Sequence, residues 1–167
     1  MPRSGARSRR ACEGASRPRL EQDLSPRLRP VKRGVVLDTG PLVALVNARD
    51  RHHDWSVLQW SQIEPPLLTC ESVISEACFL LGQTRSGAAP VLEMLARNAL
   101  STSFRLSEHA RNVRSLMRKY SDVPMSVADA CLVRMAEITT HSTVLTLDRD
   151  FKLYRKHGRQ VIPLLIP

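Results

Sequence analysis

Four acidic residues stand where a carboxylate is costly. Asp38 ends the apolar run of "VVLDTGPLVAL" (35–45), and Asp148 ends "STVLTLD" (142–148). Glu76, in "ESVISEACFLL", is three or four positions from Val73, Phe79 and Leu80. Asp129, in "PMSVADACLVRMAEI", is spaced in the same way from Met125, Leu132 and Val133, with Ala136 two turns on, so both acids share apolar helical faces. An ionised carboxylate directed into an apolar stripe must be paired or bound to a metal. Carboxylate oxygens suit Mg²⁺ or Mn²⁺, with water completing the coordination. Without a cation, two carboxylates ~5 Å apart repel by roughly 3 kcal/mol at an effective dielectric of about 20, which raises at least one pKa.

Taken singly, each acid has a simpler structural account. Asp38 or Thr39 can cap the helix that follows, with Pro41 tolerated in its first turn, and Asp148 can cap a short helix over "RDFKLYRK". Ser126-x-x-Asp129 fits a capping box. Glu76 needs only a cation on a facing helix, and Glu71, at a helix start, is a dipole-favoured acid. What these accounts leave unexplained is the conjunction. Two strand-end acids and two acids on apolar helix faces can be assembled around one hard cation.

The elements that would position them follow from periodicity. Short runs that are apolar on both faces, at 34–38, 66–70, 142–148 and 160–165, read as strands of a sheet covered on two sides, and 101–106 as a further short strand. Helical spacing occupies 41–47, 52–63, 71–82, 87–99, 107–119 and 126–139. Strands alternating with helices predict an α/β sandwich with a mostly parallel sheet. In such a sheet ligands bind beyond the C-terminal strand ends, which places Asp38 and Asp148 on one rim.

The 167 residues suit one domain with a substantial core. Ten of the 25 basic residues but only three of the 16 acidic ones lie in 1–33, leaving 15 and 13 in the remainder. The net charge of +9 therefore belongs mostly to that segment and says little about a domain ligand. Rich in Arg, Pro, Ser and Gly, residues 1–33 read as a disordered basic extension; a start site set upstream of the true one, near Val31 or Val35, is an equally plain account. The segment has no apolar core of a secretory signal, and no part of the chain reaches the roughly 18 apolar residues of a membrane span. Cys12, Cys70, Cys78 and Cys131 have no metal-knuckle spacing and predict buried thiols in a reducing, cytoplasmic setting.

At the four acids the sequence resembles the PIN-domain ribonucleases, most closely the VapC-type toxins of bacterial toxin–antitoxin pairs. The carrying motifs are "VVLDTGPLVAL", "ESVISEACFLL", "SVADACLVRMAE" and "VLTLDRDF", in matching order over residues 34–167. The resemblance implies a three-layer α/β/α sandwich, dependence on Mg²⁺ or Mn²⁺, endonucleolytic RNA cleavage, homodimerisation and inhibition by a small antitoxin. It implies Asp38, Glu76, Asp129 and Asp148 as the metal-binding, catalytic acids, with Asp150 auxiliary and Thr39 and Thr146 orienting an acid or a water. The chemistry expected is phosphodiester hydrolysis by a cation-activated water, a carboxylate free of the metal taking the proton. Asp38 and Asp129 are then the principal ligands, with Glu76 and Asp148 holding ligand waters or a second ion.

RNA also needs cations near the rim. Of Arg85, Arg149, Lys152, Arg155, Lys156 and Arg159, Arg149 within "LDRD" is the expected phosphate contact, and the others read as solvated surface. His52 and His53 read as exposed, and Trp55 and Trp60 as core or dimer-interface anchors. A haloacid-dehalogenase-like phosphatase would need a second aspartate at position 40, which is Gly40, and no phosphate loop for a nucleotide is present. Two alternatives to a toxin remain: a PIN nuclease of RNA maturation or decay, and a catalytically silent RNA- or protein-binding PIN module.

Overall fold

A computed structural model describes residues 34–167, so the expectations for 1–33 and Cys12 lie outside the described residues. Five parallel strands, β1 (Val35–Leu37), β2 (Leu67–Leu68), β3 (Leu100–Ser101), β4 (Thr143–Leu145) and β7 (Leu164–Leu165), form one sheet in the order β3-β2-β1-β4-β7. From β1 the chain moves to β2 and β3 on one side, then returns past β1 to β4 and β7 on the other. The point where the direction reverses, between β1 and β4, is where a doubly wound sheet opens a crevice at its C-terminal edge.

Six helices cover the sheet: α1 (Thr39–Val46), α2 (His53–Ser61), α3 (Glu71–Gly82), α4 (Ala89–Ala96), α5 (Leu106–Lys119) and α6 (Val127–Ile138). Right-handed crossovers place α1 to α4 on one face and α5 and α6 on the other. The packing agrees, since α1 lies against α2 and α3 while α5 and α6 pair with one another and α6 lies on β1 and β4. The result is a three-layer α/β/α sandwich. Its core runs from Val36, Leu67 and Leu145 on the sheet to Leu42 and Leu81 on one side and Leu132 and Val133 on the other.

Three elements differ from the periodicity. The 160–165 run is two strands, because Pro163 has no N–H to continue a ladder. Gln160–Val161 (β6) pairs antiparallel with Arg155–Lys156 (β5), whereas Leu164–Leu165 joins the main sheet. "RDFKLYRK" is not one helix but a 3₁₀ turn over Arg149–Lys152 followed by β5, with Phe151 and Tyr154 buried. The 101–106 run contributes only Ser101 to β3, and Leu106 already begins α5.

Several smaller readings hold. Trp55 and Trp60 pack against the core, whereas His52 and His53, expected to be exposed, are half-buried, because His53 Nδ1 lies 2.8 Å from the Ala44 carbonyl oxygen of α1. Cys70 and Cys131 are buried and Cys78 half-buried, all three free thiols. Among the described residues, no helix is long and apolar enough to cross a membrane.

Leu132 sits fully buried on α6, one turn after Asp129. Leu132→Ala leaves a cavity behind the acid-bearing turn and should destabilise the protein by about 2–5 kcal/mol, read as a lower urea midpoint at unchanged slope.

Candidate active site

The rim is built from β1 outward. Val35, Val36 and Leu37 lie opposite Thr143, Val144 and Leu145, and one step further the Asp38 N–H donates to the Leu145 carbonyl at 3.0 Å. On the other flank, Thr69 Oγ1 donates to the Leu37 carbonyl at 3.0 Å, continuing the edge beyond the two-residue β2 with a side chain. The strand tip, and with it Asp38, is held on both sides.

Asp38 is 7% exposed and N-caps α1. Its Oδ1 accepts from the Thr39 N–H at 2.6 Å and its Oδ2 from Thr146 Oγ1 at 2.6 Å. Thr146 is itself fully buried, and its oxygen also accepts the Asp148 N–H at 2.8 Å. Thr39 Oγ1 donates to Glu76 Oε2 at 2.9 Å. Two threonines therefore bracket the site, Thr39 reaching Asp38 with its N–H and Glu76 with its hydroxyl, Thr146 joining Asp38 and Asp148 through one hydroxyl. The helix starts at Thr39, so Thr39, Gly40 and Pro41 are its first turn rather than a loop before it. A Cβ on Gly40 would stand 3.2 Å from that of Leu147, so glycine lets this turn approach the bend that follows β4.

Asp129 satisfies the capping box and faces the site at once. Its N–H donates to Ser126 Oγ at 3.0 Å, and its Oδ2 accepts from the Ser126 N–H at 2.8 Å. Asp148 likewise N-caps the 3₁₀ turn, accepting from the Asp150 N–H at 2.9 Å. For these acids capping and rim placement are one arrangement, because the caps fix the side chains beside the cleft.

The four acids come together. Asp38, Glu76, Asp129 and Asp148 line one open cleft of about 430 Å³, with Thr39, Gly40, Ser126 and the apolar Leu80 and Leu147 between them. No Lys, Arg or His is among the described residues lining it. Arg149 and Asp150 are not part of the lining: Arg149 is exposed, and Asp150 serves Asp148 through its backbone N–H. Glu76 departs from its expected setting. The buried face of α3 is Val73, Ile74, Ala77 and Leu81, whereas Glu76 is exposed beside Phe79 (71% exposed) and Leu80. The apolar stripe it shares with those two is a surface rim, not core, and its partner is the Thr39 hydroxyl rather than a facing cation. Leu80 and Leu147 had no sequence signal as site residues, since a leucine beside an acid reads as packing.

Electrostatics follow the geometry. Burial pushes the Asp38 carboxyl up to about 6; the Thr146 and Thr39 hydrogen bonds oppose this, and the charges of Asp129 and Asp148 add to it. Asp129 is also raised, by burial first and then by Asp148 and Glu76, against the pull of its Ser126 bonds. Each of the four acids is within electrostatic reach of another, with no protein cation between them.

The donor set fits a hard divalent ion: four carboxylates and no nitrogen or sulfur ligand. Among the described residues, no three such groups stand close enough, as the side chains lie, to share one ion. Glu76, Asp129 and Asp148 each accept from a local donor, and each has a second carboxylate oxygen outside that bond.

The family model that describes the PIN domain matches residues 35–157. The chain belongs to the PIN-domain family. Among curated proteins none matches it. A solved structure similar to it is VapC20 of Mycobacterium tuberculosis, described as a toxin that cleaves the sarcin–ricin loop, at 19% identity and a TM-score of 0.52 over 59% of this chain and 77% of that one. That likeness bears on the fold, and it agrees with the PIN arrangement of a parallel sheet between helical layers.

Because native Asp38 holds its proton more tightly than the unfolded chain, its contribution to the stability of the metal-free protein is greatest below pH 4. That contribution is lost as pH rises through 4 to 6, about 3 kcal/mol in all from a carboxyl raised from 3.8 to about 6. In EDTA, urea midpoints should fall across this window, and Asp38→Asn should remove most of the fall. An equally steep fall in the variant would place the titration elsewhere.

Proposed function

We propose that the protein is a metal-dependent endoribonuclease, the toxin of a toxin–antitoxin pair, with Asp38, Glu76, Asp129 and Asp148 as its metal-binding acids and Mg²⁺ or Mn²⁺ as its ion. The observation that carries the reading is the convergence of these four acids, from four separate segments, on one cation-free cleft at the switch point of the sheet. An isolated cap would not require the other three.

Asp38 and Asp129 would hold the ion, Asp38 because its bracketing hydroxyl and amide fix it at the rim, Asp129 because its capping box does the same from α6. A divalent cation bound there would lower the pKa of an attacking water and offset the charge of the scissile phosphate. Glu76, exposed, and Asp148, half-buried, line the same cleft and would accept the attacking water's proton. Leu80 and Leu147 are the apolar residues of the cleft lining. Thr39 and Thr146 are positioning residues, each fixing a pair of acids. Phe79, Leu80 and Val127, exposed beside the acids, form an apolar margin suited to a protein that covers the cleft, consistent with a small antitoxin or a second copy of the chain.

Purified protein should cleave total RNA with added Mg²⁺ or Mn²⁺ and lose activity in EDTA. Asp38→Asn and Asp129→Asn should each lower cleavage by about 100-fold or more with the fold retained by circular dichroism. Retained cleavage in Asp38→Asn would overturn the assignment. Growth arrest on expression, relieved by a small co-expressed partner, would mark a toxin; its absence would favour RNA maturation or decay. Thr146→Val, which keeps the shape but removes the oxygen joining Asp38 and Asp148, should reduce kcat by about 10-fold while leaving KM little changed.

A further inference from the structure

A second pocket lies near the C-terminal end of α6, remote from the acid at its start. The β5–β6 hairpin turns through Lys156, His157, Gly158 and Arg159, with φ +50 at His157 and +77 at Gly158, and the Arg159 N–H donates to the Lys156 carbonyl at 3.3 Å. Two successive left-handed residues make this a tight hairpin turn whose twist suits the flanking strands. It is anchored to the domain at three points. Lys119 Nζ on α5 donates to the Gly158 carbonyl at 3.1 Å, the His157 N–H donates to Glu137 Oε1 at 2.9 Å, and the Arg155 N–H donates to the Tyr120 hydroxyl at 2.9 Å.

Between the turn, α5 and α6 is a cavity of about 230 Å³ lined by Asn112, Ser115, Lys119, Glu137, His157 and Gly158, with Leu116 at its side. The α5 residues are spaced i, i+3, i+7, so they share one face. Lys119 keeps two ammonium N–H groups beyond its bond to Gly158, and Asn112, Ser115 and His157 add neutral donors. Glu137 is the single acid of the lining, and its oxygens are engaged, Oε2 by Arg134 at 2.8 Å and Oε1 by the His157 N–H. Arg111, Arg114 and Arg118 are exposed along the adjoining stripe of α5, and Arg159 is exposed at the turn. Among the described residues, none of these four is in an ion pair.

We infer that this cavity binds a phosphate of the RNA strand outside the cleavage site, with Lys119 as its charged ligand and the His157–Gly158 turn as its wall. The inference rests on the nuclease reading for the identity of the strand. Asp129 lines the cleft and Glu137 lines the cavity on the same helix, eight residues apart, about 12 Å at 1.5 Å per residue. At ~3.4 Å per stacked nucleotide, that separation is three or four nucleotides along one strand. A substrate held at both places is therefore longer than the bond that is cut.

Binding of single-stranded oligoribonucleotides of two to eight nucleotides, measured by fluorescence anisotropy with cleavage-defective Asp38→Asn protein in Mg²⁺, tests it. Affinity should rise once the strand exceeds about four nucleotides. Lys119→Gln should remove that rise, weaken octamer binding by about 10-fold, and lower the slope of log K against log salt by about 0.7, leaving dinucleotide binding unchanged. Arg159→Gln, which disturbs no side-chain contact, should act in the same direction if Lys119→Gln proves less stable on melting. Octamer binding and salt slope unaltered in both variants, or no RNA binding by the parent protein at any length, would overturn the second site. Cleavage retained by Asp38→Asn would instead overturn the nuclease assignment while leaving the length-dependent binding to be judged alone.

Discussion

The rim depends on one buried hydroxyl. Thr146 Oγ1 donates to a carboxylate 108 residues earlier in the chain and accepts the backbone N–H of Asp148, so a single oxygen fixes the separation of two acids on neighbouring strands. The hydroxyl can do this because the parallel register of β1 and β4 brings the residues after Leu37 and Leu145 side by side at the same sheet edge. A slip of one residue would turn Asp38 and Thr146 to opposite faces and leave the buried carboxylate without its second donor. Sheet register and site geometry are thus one constraint.

That constraint explains why an electrostatically unfavourable cluster can persist in a stable fold. Burial and neighbouring charge destabilise ionised Asp38, and the opposing hydrogen bonds recover only part of the loss, leaving its pKa near neutrality. The remainder is carried by the core around it, where the β-strand residues below Asp38 and the α6 residues behind Asp129 are almost completely enclosed. An acidic cleft with no lysine, arginine or histidine among its described lining residues is locally unfavourable to the fold. The exposed arginines of α5 and the hairpin, Arg111, Arg114, Arg118 and Arg159, are outside the lining of the acidic cleft.

Much of this was legible in the sequence for a definite reason. Strands buried on both faces read as continuous apolar runs, and an acid at the end of such a run, followed by a helix signal, can hardly lie anywhere but the rim. The spacing of Ser126 and Asp129 likewise announced a capping box that the structure contains. Glu76 was harder. Its stripe with Phe79 and Leu80 has the period of a buried face, yet α3 buries Val73, Ile74, Ala77 and Leu81, a face about one residue out of phase, and periodicity cannot distinguish a core stripe from an apolar surface. The stretch after Asp148 failed for a different reason: "RDFKLYRK" has helical composition, but burial of Phe151 and Tyr154 and the pairing of Arg155 and Lys156 with β6 draw it into a turn and a hairpin.

The hairpin also shows how Pro163 shapes the molecule. A continuous strand over 160–165 would have carried the whole run alongside β4. With no N–H at Pro163, the ladder along β4 is taken up by Leu164 and Leu165, while Gln160 and Val161 fold back on β5. The residues between β4 and β7 are thereby free to leave the sheet, cross to α5 and dock through Tyr120, Lys119 and Glu137. Asp148 stands at the start of that excursion and the His157–Gly158 turn at its tip, so a short segment joins the acidic cleft at one end to a basic surface at the other. A flexible polyanion laid along it would meet the charges that attract it and the acids that need a cation to approach it in fixed order, set by the backbone.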